Sequence, residues 1–177
     1  MTVEFFNFGY FLYLTLAVLS FVGLYLLLRF KEERTQKTVL ALLLFANLVL
    51  HFIKPFFTGY NNSVKGVVEI FFTTYSAVSV LLFPFVFLSK NKTLRDYMFY
   101  MGVAGGLGAL AIPTEALGQP LFSFMSWRFY FAHSLLVIVP MLMVVLKLHT
   151  LDYRRIWRQP IIVMGVVMFI IANQVIH

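Results

Sequence analysis

His133 is the only His, Asp, Glu, Lys or Arg between Arg128 and Lys147, and the run around it is otherwise apolar. An ionisable side chain inside a membrane span is costly, so its default reading is functional. An imidazole there can act as a general base. Two other runs carry polar side chains at helical spacing. Asn47, His51 and Lys54 stand at i, i+4 and i+7, which at 100° per residue places them within about 60° of one another on a helix. Glu69, Thr73 and Ser76 repeat that spacing on the next apolar run. Counted at 1.5 Å per residue, His133 lies roughly 7–8 Å below Arg128, and Thr73 about 10 Å below Gly66. The two depths agree, so these faces are expected to meet each other or a wet cavity rather than lipid. Asn173 and Gln174 are expected at similar depth, and Ser126 on the face of His133.

The chemistry such a set supports is hydroxyl attack assisted by a base. Thr73 or Ser76 would be the nucleophile and His133 the base, because a hydroxyl attacks only when a neighbouring group takes its proton. Asn47, His51, Lys54, Glu69 and Arg128 would bind, with Glu69 pairing Lys54 or a protonated His51. A hydroxyl within about 3.2 Å of His133 would favour catalysis. Plainer readings stand beside these. Thr74, Ser79 and Ser134 suit hydrogen bonds to helix carbonyls. Lys54 and Arg128 suit snorkelling anchors, Arg128 together with its neighbour Trp127. His149, beside a basic loop, reads as solvated, and His177 receives no role. With no Cys and no HxxxH spacing, neither a metal site nor any cofactor is expected.

The elements that must position these groups are membrane helices. The 177 residues are 61% hydrophobic and 12% charged. A soluble domain is about 45–50% apolar and about 25% charged. Six spans are expected, in one all-α transmembrane domain over residues 1–177: Phe5–Leu28, Thr38–Ile53 closed by Lys54-Pro55, Gly66–Leu88, Tyr97–Ile112, Phe122–Leu148 and Pro160–Ile176. A crossing helix needs about 20 residues. Loops one, three and five hold 11 of the 14 cations, and Lys54, Lys65 and Arg128 hold the opposite side. The positive-inside bias therefore puts Arg154–Arg158 in the cytoplasm and the N-terminus outside. The net charge of +7 serves topology and anionic lipid, so the expected partners are membrane lipids and another membrane protein, with no nucleic acid.

Gly102, Gly105, Gly106, Gly108 and Ala109 overlap as small-xxx-small patterns, which let a neighbouring backbone come close. A phosphate loop is excluded, since no Lys-Ser/Thr follows. Gly105-Gly-Leu-Gly-Ala-Leu-Ala-Ile-Pro113, then Arg128-Phe-Tyr-Phe-Ala-His133, then Asp152-Tyr-Arg-Arg-Ile-Trp157 resemble the YwaF family of bacterial integral membrane proteins, from roughly His51 to the end. The resemblance implies a multi-pass protein of the bacterial cytoplasmic membrane. Eukaryotic relatives of that family are associated with acyl transfer among ether phospholipids through a Cys and a His, and His133 matches the family His. The family's third-helix Leu-Pro-Leu-His/Gln-Leu-Cys is replaced here by Phe71-Phe72-Thr73-Thr74-Tyr75-Ser76, without Pro or Cys. Three classes follow: lipid acyl transfer or remodelling; a non-catalytic lipid-binding or accessory subunit; and, more weakly, a small transporter, for which no internal repeat is found. The chain ends at His177 on the edge of an apolar run, so either the sixth helix stops at the outer surface or the sequence is a fragment.

Overall fold

The computed structural model describes residues 1–58 and 74–176. Six α-helices follow one another among them: α1 Phe8–Leu28, α2 Glu33–Thr58, α3 Tyr75–Leu88, α4 Lys92–Ala111, α5 Phe124–Val145 and α6 Gln159–Ile176. A 3-10 turn, Tyr153–Arg158, leads into α6. The described residues contain no β-strand, only an isolated bridge between Thr2 and Pro120. The all-α polytopic expectation holds. Helices α1, α2, α5 and α6, the last counted with its 3-10 turn, are long and apolar enough to cross a membrane.

Most starts are set by side chains that take up orphan backbone N–H groups. Asn7 accepts from Tyr10 N–H at the start of α1, Thr74 from Ala77 at α3, Asn91 from Thr93 and Leu94 at α4, and Ser123 from Ser126 at α5. Several boundaries differ from expectation: α2 starts at Glu33 rather than Thr38, and α4 at Lys92 rather than Tyr97. α2 does not stop at Lys54-Pro55 but runs through Pro55 to Thr58. In a membrane helix the hydrogen bond lost at proline is compensated by neighbours and local adjustment. α3 begins at Tyr75, because Thr74 is extended (φ −126°, ψ 150°) and acts as its cap. The register that would tie Glu69 and Thr73 to Ser76 on one helix face is interrupted at Thr74. Glu69 and Thr73 themselves lie outside the described residues.

α5 is the axis of the bundle. Of its most apolar window 78% is buried, against 11% for α1 and for the α6 segment. It packs against α1, α2, α3 and α4, while α6 sits against α3 and α4. The tightest approach is between α4 and α5. A Cβ on Gly106 would lie 2.6 Å from Val137 Cγ2 and 3.0 Å from the His133 carbonyl, and one on Gly102 2.6 Å from the Leu136 carbonyl. Gly102 and Gly106 are packing core, as the small-residue spacing predicts, whereas a Cβ on Gly105 would only touch the Tyr75 ring at 3.7 Å and one on Gly108 would meet nothing within 4 Å among the described residues. At the other end of α4, the N-terminal residues clasp the α4–α5 connection. Val3 N–H donates to the Gln119 carbonyl (2.9 Å), Gly118 N–H to Val3 (2.8 Å) and Leu121 N–H to Met1 (3.0 Å). Gly118 sits at φ +76°, where a side chain would be strained. The Tyr13 hydroxyl donates to the Leu121 carbonyl, and the Tyr13 ring stacks on Tyr130 at 4.3 Å. This clasp fixes the connection that carries Glu115.

Candidate functional site

A charged pocket opens where α2, the start of α3, the α4–α5 connection and α5 converge. His51 and Lys54 come from α2, Thr74 and Ser76 from α3, Glu115 from the connection, and Arg128 and His133 from α5. The helical spacing on α2 behaves as expected: Asn47, His51 and Lys54 are all buried on one face. Asn47 Nδ2 donates to the Ala132 carbonyl on α5 at 3.4 Å, which ties that face to the central helix.

Glu115 bridges the two cations. Lys54 Nζ lies 3.2 Å from its Oε1, and Arg128 Nη2 pairs with its Oε2. Lys54 is therefore paired with Glu115 among the described residues; the expected partner Glu69 lies outside them. Arg128 is not a snorkelling anchor, since it is only 4% exposed and ion-paired. The Glu115 carboxyl feels opposing influences. Burial pushes it up, and Lys54 and Arg128 outweigh that and hold it below its usual range. Arg128 keeps an unused donor: its Nε–H is buried and has no acceptor among the described residues.

His133 is 6% exposed, and its Nδ1 lies 2.8 Å from the Phe129 carbonyl one turn back. A carbonyl only accepts, so Nδ1 donates, and Nε2 is the accepting nitrogen of the neutral tautomer. Among the described residues no hydroxyl lies within hydrogen-bond distance of the ring. Ser76 Oγ is 3.3 Å from the Thr74 hydroxyl, and Thr74 is structural but not in the expected way: it caps α3 by accepting from Ala77 N–H at 3.2 Å rather than bonding a helix carbonyl. Ser79 does donate to a helix carbonyl, that of Tyr75, at 2.9 Å.

Thr74 and Ser76 belong to two cavities at once. On one side is the charged pocket, with a volume of about 30 Å³. On the other is a groove of about 250 Å³ between α3 and α4, lined by Tyr75, Ser79, Met101, Gly105 and Gly106 among others. The hydroxyls thus stand at the junction of a charged seat and a longer, mostly apolar slot.

The TMEM164 family model matches residues 5–176. The chain belongs to the TMEM164 family. No curated protein matches it, and no solved structure does. As a family member it is a multi-pass membrane protein with apolar helices.

Two sequence expectations fail around this site. Asn173 does not join the polar cluster, because its amide donates to the Phe169 carbonyl of its own helix at 2.8 Å. Ser126 turns away toward the connection, donating to the Pro120 carbonyl at 3.0 Å. Sequence reasoning missed Glu115 altogether. The available signal was charge: Glu115 is the one carboxylate in the connection facing Lys54 and Arg128. It also missed Asp96, at the far end of α4. Asp96 is fully buried and holds His149 Nε2 at 2.6 Å and Arg155 Nε at 2.6 Å. His149 is therefore not solvated but 7% exposed, because the chain after α5 folds back over the first turn of α4. Among the described residues no group of three or more His, Cys, Asp or Glu is placed to hold a metal ion.

Proposed function

We propose that this TMEM164-family chain is a lipid-binding membrane protein of the YwaF type. The polar end of a lipid enters the charged pocket, and an acyl chain runs along the α3–α4 groove. One observation carries the reading. Thr74 and Ser76 line both cavities, so a ligand bridging them must be polar at one end and apolar at the other. The proposal places the protein in a bacterial cytoplasmic membrane, as the YwaF resemblance implies, with the N-terminus outside on the 11-to-3 cation split. The pocket then opens toward the outer leaflet. Membrane lipids are its partners, and the apolar outer faces of α1 and α6 leave room for another membrane protein.

Acyl transfer is the second reading, favoured by one feature: His133 and Ser76 line the same pocket, and the neutral His133 ring offers Nε2 as a base. Ser76 Oγ would attack the ester carbonyl of a lipid and pass its proton to Nε2. The alcohol leaving the ester takes that proton, and a second lipid alcohol then removes the acyl group by the reverse steps. Ser76 must turn from Thr74 toward His133 for this, and catalytic hydrogen bonds often form only in the complex. Protein in nanodiscs, given an isotope-labelled phospholipid and an unlabelled lysolipid, separates the readings by mass spectrometry. Lipid retained with no label moved supports binding alone. Label transfer that disappears in both Ser76→Ala and His133→Ala supports chemistry. No lipid retained at all would remove both.

A further inference from the structure

We infer that Glu115 occupies an oxyanion seat, and that the Lys54–Arg128 pair is a phosphate site from which this carboxylate is displaced by the ligand. The inference rests on the lipid-binding reading and names the headgroup chemistry of the same pocket. A guanidinium offers Nε–H and one Nη–H side by side, an edge that binds two oxygens of a carboxylate or phosphate at once. On Arg128 that edge is half used. Nη2 meets Glu115 Oε2, while Nε–H stays buried with no acceptor among the described residues. The second oxygen of Glu115 is drawn off to Lys54 Nζ, 3.2 Å away. Two carboxylate oxygens are thus shared among three donors that converge from α2 and α5. A tetrahedral phosphate has enough oxygens to serve all three.

Space and mobility point the same way. The pocket as it stands is about 30 Å³, and one water needs about 10–15 Å³, so it has room for about two waters and not for a phosphate beside the carboxylate. Something must leave before an anion enters. Lys54 and Arg128 side chains are 8% and 5% exposed and built into helices, whereas Glu115 is 35% exposed and comes from a connection. Glu115 is the group that can swing out to water. While Glu115 is in the seat it is ion-paired with both Lys54 and Arg128, so an entering ligand has to bring negative charge of its own to replace it.

The test uses purified protein in a maltoside detergent, which carries no phosphate, with thermal melting as the readout. Three probes are titrated: dihexanoylphosphatidic acid, inorganic phosphate, and dihexanoylglycerol, which has the same chains and no phosphate. Phosphatidic acid should stabilise wild type far more than dihexanoylglycerol. Glu115→Gln, which removes the competing charge, should lower the half-effect concentration of phosphatidic acid about tenfold. Arg128→Lys, which removes the two-donor edge, should raise it about tenfold. If Glu115→Gln does not fold, Glu115→Asp, one methylene shorter, should move the value in the same direction. Inorganic phosphate acting as strongly as phosphatidic acid supports the seat but assigns it to a soluble anion. Dihexanoylglycerol acting as strongly as phosphatidic acid overturns the phosphate site and leaves lipid binding standing. No response to either lipid overturns the lipid reading itself. Phosphatidic acid binding no tighter to either Glu115 variant than to wild type overturns the displacement.

Discussion

Two carboxylates sit at either end of α4, each facing an arginine, and they are finished differently. Asp96 is 0% exposed, and both of its oxygens are engaged: Oδ2 by Arg155 Nε at 2.6 Å, Oδ1 by Arg155 Nη2 at 3.3 Å and His149 Nε2 at 2.6 Å. The remaining nitrogen of Arg155, Nη1, reaches Asp152 at 3.3 Å. Glu115 is 35% exposed and splits its oxygens between two cations, which leaves Arg128 Nε without an acceptor among the described residues. One guanidinium edge is full and the other half empty. A full edge around a sealed carboxylate holds the chain after α5 onto α4 and leaves nothing for a ligand to gain. A half-empty edge beside a cavity is where a ligand gains most.

The comparison is sharpest in stability. Asp96→Ala should lower stability by about 3 kcal/mol, the low end of what removing one partner of a buried ion pair costs. Glu115→Ala should cost less, because Glu115 is 35% exposed and water can reach the vacated place. Equal melting shifts for the two variants would erase the distinction. Gly106→Leu should cost about 1–3 kcal/mol by overpacking, since an added Cβ would lie 2.6 Å from Val137 Cγ2 and 3.0 Å from the His133 carbonyl. Gly108→Leu, with nothing within 4 Å, should leave the melt unchanged and serves as its control. An unchanged melt for Gly106→Leu would mean that the α4–α5 contact does not position His133.

A smaller effect is expected from His133→Ala. It removes one hydrogen bond, to Phe129, worth about 1 kcal/mol, while lipid binding or transfer should fall much further than stability. Parallel losses would make His133 a structural histidine. The smallest effect is in pH. The Glu115 carboxyl is held below its usual range, so its pairing stabilises the protein at and above that range, near pH 4.3. That contribution is lost as pH falls from there through the depressed value. Glu115→Gln should flatten the acid limb of the melting curve by that amount, and an acid limb unchanged in Glu115→Gln would show that the bridge adds no stability.

How much of this was legible depended on range in sequence. Helical periodicity brought Asn47, His51 and Lys54 to one face correctly, because the i, i+4, i+7 relation is settled within two turns. His133 could be singled out because an ionisable group in an apolar run is expensive wherever the helix packs. Gly102 and Gly106 were legible as packing because only close backbone approach explains small residues at that spacing in a span. Glu115 and Asp96 were not legible. Each pairs with partners 13 to 61 residues away, brought together by the order in which helices return to the same surface. A lone carboxylate in a connection, as Glu115 is, or in the first turn of a helix, as Asp96 is, carries no periodic signal. Thr74 was opaque for a different reason. As a cap it ends a helix, and a polar residue inside an apolar run reads equally as a point on a helix face.

The measurement closest to the central claim is the lipid that stays bound to each of two purified variants, read by native mass spectrometry beside their melting curves. Arg128→Gln should melt close to wild type and retain little lipid. Asp96→Asn should melt lower and retain lipid at the wild-type level in its folded fraction. Wild-type lipid retention in Arg128→Gln, or lipid loss confined to Asp96→Asn, would contradict the assignment of the half-filled cluster as the binding site.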